Sequence, residues 1–530
     1  MIRKILIADR GVSALRILRT CRRLGIKSVA VYSDADKESP HAQLADEAVA
    51  LRPAETPLPP RLVEAAKRTG ADTIHPGCGP LAGDADFAAA CEESGLTFIG
   101  APSKILRTGF NSPERAKRQG LSVASDRRVP DARVIEFQTF CDQQGNAVQL
   151  DQDVSIQADG RTFVYESPAP SLDSDLRDRM RTAALKLTSE VGFGNAATVR
   201  FLLMPDGDFL YLESEPFLSA HCLVSEAVQV QIEIAEGRRL PIERFGACGH
   251  AIGASLYAGA VGAKSVTGTF HVWEPPPATS DVQIEAGVAE GMQVPPNDPL
   301  LAQLIAEDAA REGAIRILSQ ALGALWTGGV PTNQETLLYV LGSQEFLDGK
   351  ARLGFLDQRP LGIVVNDASD IIFAAACSLY LEGSRHAQRT FLPGVPPNYR
   401  NNPYRDPSLT LRIGMRDLAM SWQRVDQNQY RIHLGHTELR GEVLALRPGT
   451  LSIVLDGILR EFRFREVGEA VYVHSSLGSR AIQRLSRYLR TETTPSAAPQ
   501  TVAEPSKPVA SAPRAPTARW PTKPRRPASG

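Results

Sequence analysis

The chain has 530 residues, 43% hydrophobic and 22% charged, with a formal net charge of −1 from 59 Lys+Arg against 60 Asp+Glu. At roughly 150 residues per domain, this length implies three or four units rather than one core. A charge balance this near zero supplies no field to hold nucleic acid or an anionic membrane, so neither is expected as a partner.

The opening MIRKILIADRG runs into a strand-like pattern too short and too soon interrupted by charge for a signal peptide. No apolar run approaches the roughly 20 residues of a spanning helix. Seven cysteines (Cys21, Cys78, Cys91, Cys141, Cys222, Cys248 and Cys377) form no CxxC pair and no metal-ligand spacing, and read as reduced thiols of a cytoplasmic protein. Residues 3–100 alternate short apolar runs (Lys4–Ala8, Ser28–Tyr32, Thr73–His75, Thr97–Ile99) with helical periodicities (Val12–Leu24, Pro60–Thr69, Asp86–Ser94). That alternation predicts a doubly wound parallel sheet covered on both faces.

From Arg133 the pattern changes to paired strands (Arg133–Cys141, Asn146–Gln149, Thr162–Glu166) and then a helix over Leu172–Val191. A hairpin of Thr198–Leu203 and Asp208–Glu213 turns at Pro205-Asp206-Gly207, where Pro fixes φ, Asp caps the turn and Gly accepts positive φ. A mixed sheet with one packed helix is expected. Strands at His250–Tyr257 and Thr267–Trp273 precede a stretch from Asp298 to Leu347 that reads as helix-rich. Short alternating segments between about 375 and 488 (Gln429–Leu434, Leu451–Leu455, Glu461–Arg465) predict an antiparallel barrel or sandwich. Beyond Arg490 the chain is Pro/Ala/Ser/Thr with scattered Lys507, Arg514, Arg519, Lys523, Arg525 and Arg526 and one aromatic, Trp520. Such a tail buries too little apolar area to offset ordering entropy and is expected to be disordered. It reads first as an inert solvated extension, and otherwise as a segment docking on a partner groove or as the remnant of a linker to a carrier domain supplied elsewhere.

Several motifs in order carry a family resemblance. LIADRGVSALRILRTCRRLGIKSVAVYSDADKESPHAQLADEAVAL (6–51), ADTIHPGCGPLAGDADFA (71–88) and GLTFIGAP (95–102) are followed by RVIEFQTFCDQQGNAV (133–148) and ESPAPSL (166–172). ATVRFLLMPDGDFLYLESEPFLSAH (197–221), GHAIGASLYA (249–258) and GVPTNQETLLYVL (329–341) continue the series. Together these resemble the biotin carboxylase family over about two-thirds of the chain. Residues 360–488 resemble, more weakly, the linking domain of acyl-CoA carboxylase α-subunits, a β-barrel around a helix that docks on a carboxyltransferase subunit. The Ala-Met-Lys-Met sequence of a biotin-carrier domain does not occur.

The resemblance implies α/β and α+β units in series. These are a doubly wound N-terminal domain (1–110), a truncated ATP-grasp domain without its lid (111–245), a biotin carboxylase C-terminal domain (246–360), a β-barrel-like domain (361–490) and the tail (491–530). Family members use ATP, Mg²⁺ and biotin, closing a glycine-rich lid over the phosphates so that backbone N–H groups replace water. Between Gly109 and Arg133 this chain reads GFNSPERAKRQGLSVASDRRVPDAR, too short for that lid and without consecutive glycines.

The family's chemical residues are also replaced. By resemblance, one of two Mg²⁺-holding glutamates falls at Arg200 and the other at Glu213; a guanidinium cannot ligate a cation. The family's EMNxRxQVEH is matched by 213–222, which puts Phe217 at its catalytic arginine, His221 at its general-base glutamate and Glu215 at its asparagine. A second arginine falls at Ser255 and the bicarbonate-facing lysine at Thr162, leaving Gln157 and Glu213 as the remaining nucleotide-site positions.

Neighbouring hairpin strands are expected to set Arg200 against Glu213, and Glu215 beside it, as a built-in counterion; the alternative is an arginine turned to solvent. His221 reads as a substitute base or, more simply, as a hydrogen-bonded structural histidine. Cys222 beside it, if both lie on a strand, points to the opposite face. His75 reads as part of a structural turn at a strand end. No tightly bound cofactor is expected. The leading expectation is a non-catalytic biotin carboxylase-like α-subunit that contributes assembly or regulation. Its expected partners are acyl-CoA carboxylase subunits, either a carboxyltransferase or another α-subunit, and it is expected to form a homodimer by resemblance. The alternatives are an active ATP-dependent ligase with a rearranged site and a nucleotide- or small-molecule-binding module without turnover.

Overall fold

In a computed structural model the described residues are 1–51, 58–126, 129–190, 194–224, 226–240, 249–263, 266–277, 279, 281–294, 298–357, 367–387 and 406–485. Cys248 and the tail 491–530 lie outside them.

The first region is a parallel sheet of five strands in the order Glu47–Ala50, Lys27–Tyr32, Lys4–Ile7, Thr73–His75, Thr97–Phe98. Ile5, Leu6 and Ile7 are all fully buried, as a parallel strand covered on both faces requires. The helix Gly11–Leu24 covers one side through Leu15, Ile17, Leu18 and Cys21. It ends at Gly25, whose φ of 69° lets its N–H turn back to the carbonyl of Arg22. The helix Ala85–Glu93 starts where the Asp84 carboxylate accepts the N–H groups of Asp86 and Phe87.

An eight-stranded sheet follows, in the order Phe209–Glu215, Asn195–Leu203, Arg133–Cys141, Ala147–Ala158, Arg161–Ser167, His250–Tyr257, Leu300–Asp308, Val282–Ala286. Its ladders are all antiparallel, not mixed as expected. The helix Ser174–Ser189, opened by the Asp173 carboxylate accepting from Leu176 N–H, lays Leu176, Met180, Ala184 and Leu187 on this sheet. Between the helix Pro113–Arg118 and the strand Arg133–Cys141 the chain forms one isolated bridge, Val123 to Tyr211, and no strand or helix among the described residues.

The helix-rich stretch 298–347 opens with a strand, Leu300–Asp308, which lies next to the edge strand of the sheet. Its run from Leu301 to Ile305 is buried on both faces, and an apolar stretch of that kind carries no period to separate strand from helix. Helices Arg311–Ala324, Gln334–Gly342 and Gln344–Leu347 follow. The strand expected over 267–273 is shorter and later, Val272–Glu274, paired with Trp326–Gly328.

Eight strands between Ser408 and Leu485 close into a barrel. The helix Asp367–Ala387 supplies its filling: Phe373 meets Phe462 edge-on at 5.7 Å, and Tyr380 stacks on Phe464 at 4.0 Å. Val272, Trp326 and Tyr472 form a small apolar contact between the barrel and the preceding region. Around it Glu274 pairs with Arg463 and Arg465, and Arg480 bridges Asp370 and Glu335 at 2.7 Å each.

Candidate functional site

Three neighbouring strands set a row of charges side by side. Glu136 on Arg133–Cys141 is in register with Arg200 on Asn195–Leu203, and Arg200 with Glu213 on Phe209–Glu215. The hairpin joining the last two turns through Gly207, with φ 88°, as the Pro-Asp-Gly signal predicts. Arg200 Nε reaches Glu136 Oε1 at 2.5 Å, and its Nη1 reaches Glu213 Oε1 at 2.8 Å and Glu215 Oε2 at 2.9 Å.

One guanidinium therefore bridges three carboxylates in a partly dehydrated site, offsetting only part of their combined charge. Its side chain is 18% exposed, which excludes the solvent-turned alternative. Glu136, 2% exposed, also accepts from Gln152 Nε2 at 2.7 Å and Gln138 Nε2 at 3.0 Å, so its lone pairs are well used. Burial alone would raise its carboxyl; Arg200, with these hydrogen bonds, overcomes that and holds it below the ordinary carboxylate range. Burial raises Glu215, against the pull of Arg200. Burial also works to neutralise Arg200, but Glu136, Glu215 and Glu213 together hold it above the ordinary guanidinium range, firmly charged.

Sequence reasoning reached Arg200, Glu213 and Glu215 but missed Glu136, Gln138 and Gln152. A glutamate inside the apolar run VIEFQ was the available signal, since a lone acid in a buried strand needs a cation. His221 lies close enough for Glu136 to act on it electrostatically, but it is a neutral, partly buried ring: burial lowers it to about 4. Its edge meets Tyr165 at 5.1 Å and its backbone N–H donates to Ser219 Oγ. The idea that His221 and Cys222 alternate on a strand is wrong, because the strand ends at Glu215 and Cys222 N–H closes a turn onto Ser219 O. Burial raises the Cys222 thiol, which leaves it a poor nucleophile.

The other candidates are not gathered here. Gln157 is paired with Thr162 near the far end of its strand, past two register shifts, and donates to its own strand at Val154 O, 2.7 Å away. Thr162 is buried and its carbonyl accepts the Tyr257 hydroxyl at 3.1 Å. Ser255 is fully buried, with its hydroxyl beside those of Tyr165 and Tyr257. Phe217 gives its carbonyl to Thr198 Oγ1 at 2.8 Å and sets its ring near Gly83. Among the described residues no three His, Cys, Asp or Glu side chains are arranged to hold a metal ion. A Mg²⁺ ion does not fit between Glu213 and its neighbours, because Arg200 already takes the oxygens it would need.

Comparison with known proteins covers most of the described regions. Family models match as "Biotin carboxylase, N-terminal domain" over 1–106, "Carbamoyl-phosphate synthase L chain, ATP binding domain" over 114–243 and "Biotin carboxylase C-terminal domain" over 260–358. The methylcrotonoyl-CoA carboxylase subunit alpha of Oryza sativa subsp. japonica is 32% identical over 67% of this chain and 60% of its own. That of Dictyostelium discoideum is 30% identical over 72% of this chain and 67% of its own. The chain thus spans about 60% of the length of the first of these relatives. Among solved structures, the biotin carboxylase domain of the Hydrogenobacter thermophilus 2-oxoglutarate carboxylase, in complex with MgADP and bicarbonate, aligns with a TM-score of 0.63. It does so at 26% identity over 68% of this chain and 98% of that one.

Proposed function

The chain belongs to the biotin carboxylase family, and from that premise we propose that it is a non-catalytic α-subunit-like member of an acyl-CoA carboxylase system, acting in assembly or regulation. The observation that carries this reading is Arg200 bound to Glu136, Glu213 and Glu215 where the family's metal would sit. A fixed guanidinium supplies the charge balance of a cation but has no open coordination position to bring phosphate oxygens to a reacting group. The run between Arg118 and Arg133, without strand or helix among its described residues, supports the same reading, since a lid that excludes water from ATP needs an ordered layer there.

The barrel at 408–485 is the part that would meet a carboxyltransferase or another α-subunit, and homodimerisation is part of the same proposal. We keep the division into 1–110, 111–245, 246–360, 361–490 and 491–530; the matched family stretches fall inside these limits. A cytoplasmic location is likewise a proposal. No helix among the described residues is long and apolar enough to cross a membrane, and several relatives carry "mitochondrial" in their names.

The test is release of phosphate from MgATP by the purified chain with bicarbonate and free biotin. The expected result is no bicarbonate-dependent release above a blank, and none gained on adding Mn²⁺. Bicarbonate-dependent turnover that Arg200→Ala abolishes would instead establish the rearranged ligase.

A further inference from the structure

The eight barrel strands pair with one another, and among the described residues no strand ladder joins them to the sheets that precede Asp357. Side chains therefore hold the barrel against the rest of the chain. The apolar part of that seam is small. Val272 and Trp326 meet Tyr472 on the barrel strand Ala470–Ser475, and all three are buried. Gly328 approaches the Tyr472 ring so closely that a Cβ there would lie 2.7 Å from it, and His474 stacks on Trp326 at 5.7 Å. One point of contact is thus tightly fitted. Three side chains do not make the broad apolar interface that stops one domain from turning on another.

Around this point the seam is ionic, and its charges are sorted by side. The preceding region contributes the acids Glu274, Glu290 and Glu335. The barrel contributes Arg463 and Arg465, alternate residues on one face of the strand Ile458–Val467, and Arg480 on the strand Gly478–Leu485. Glu274 pairs with Arg463, and Arg465 lies 3.1 Å from both Glu274 and Glu290. Arg480 lies 2.7 Å from Glu335. Asp370, on the barrel's own helix, holds Arg480 from the other side at 2.7 Å, so this arginine keeps its place on the barrel with or without Glu335.

The two kinds of contact respond differently to the solvent. The three acids are 34%, 44% and 50% exposed, so water and salt compete for each pair and weaken it. The buried contact at Trp326 is apolar and has no charge to screen. Loss of the ion pairs alone leaves the barrel attached at that one point and free to turn about it.

We propose that the barrel is a hinged unit, with Trp326 and Tyr472 as its pivot and Arg463, Arg465 and Arg480 as a latch on Glu274, Glu290 and Glu335 that opens by rigid-body rotation when the charges are screened. The opening is independent of whether the chain turns over ATP, and its test does not use nucleotide.

The test is made on the full chain carrying Arg465→Lys, which keeps the charge and places an amine in the latch. A carbodiimide, which couples an amine to a carboxylate in direct contact, then joins position 465 to Glu274 or Glu290, and peptide mass spectrometry measures the yield. The link between Lys27 and Asp46, 2.7 Å apart within the first region, serves as the standard. Raising NaCl from about 0.05 M to about 0.5 M is expected to lower the link at 465 by ~5-fold or more relative to that standard. In a second measurement, at one low salt concentration, Arg463→Glu with Arg465→Glu is expected to enlarge the radius of gyration in small-angle scattering. Adding Glu274→Arg and Glu290→Arg should return it to the wild-type value. An unchanged melting temperature separates opening from unfolding; if the reversed-charge variant melts lower, the cross-link on the charge-conserving variant decides. A link at 465 that resists salt as well as the standard, or a folded reversed-charge variant with the wild-type radius of gyration, overturns the proposal.

Discussion

The sheet face around Arg200 and the interior of the barrel are both built on antiparallel strands, but they are filled by opposite means. In the barrel, Phe373 and Tyr380 of the threading helix meet Phe462 and Phe464, and the surrounding positions are aliphatic. Around Arg200 the filling is ionic: one cation, three carboxylates and two amides. Dispersion and burial spread over many contacts, so the barrel should weaken in proportion to the volume removed. An ion cluster with a single cation should instead fail all at once, because removing that cation leaves several buried charges without partners.

Arg200→Ala is the sharpest way to test that contrast. It is expected to destabilise the chain by about 3–5 kcal/mol, read as a lowered urea midpoint. Mn²⁺ is not expected to restore the loss, because the three carboxylates are not arranged to hold a metal ion. The wild-type melting temperature should be the same with Mn²⁺ and with EDTA. A wild type stabilised by Mn²⁺ would mean that Arg200 does not replace a cation.

Acid provides the next largest effect. His221 titrates at about 4 in the folded chain and near 6.5 when unfolded. Between those values the unfolded state binds the extra proton, so stability falls as pH drops from 6.5 to 4 and is fully present above 6.5. His221→Phe is expected to remove about 2 kcal/mol of that acid-side loss, allowing for a partly exposed ring. Equal pH slopes for wild type and variant, in urea melts at pH 7 and pH 4, would show that the imidazole is not held neutral.

In the barrel, Phe462→Leu is expected to cost about 1–2 kcal/mol through the space it opens against Phe373 and Phe464, with no dependence on salt. The smallest effect belongs to the ion pairs beside the barrel. Glu274→Gln, 34% exposed with Arg463 and Arg465 as partners, should change stability by less than about 1 kcal/mol, and by less still in 0.5 M NaCl. A larger, salt-independent loss would mean that this contact, rather than the apolar patch at Trp326, fixes the barrel in place.

Which parts of this were legible beforehand follows from how local each pairing is. The Arg200–Glu213 contact was readable because a short turn with a strong signal, Pro205-Asp206-Gly207, sets the register of two adjacent strands. Glu136 was not, since its pairing with Arg200 joins strands far apart in the chain and no local pattern states which residues face each other. Gln157 was carried over by motif position, and no local pattern announced the register shifts at Asp153/Ile156 and Ile156/Gln157 that precede it. Within the helix-rich stretch Asp298–Leu347, the strand Leu300–Asp308 was not singled out, because burial on both faces erases the period of two. In contrast, the alternating barrel strands, with one face inward, kept that period and were found.

The most direct measurement is calorimetric titration of the full chain with MgATP and, in parallel, with ATP in EDTA. If Arg200 has taken the cation's place and the lid is gone, neither titration yields more than weak heats, and the two agree. Tight binding that requires Mg²⁺ would contradict this reading and return the chain to the working ligases of its family.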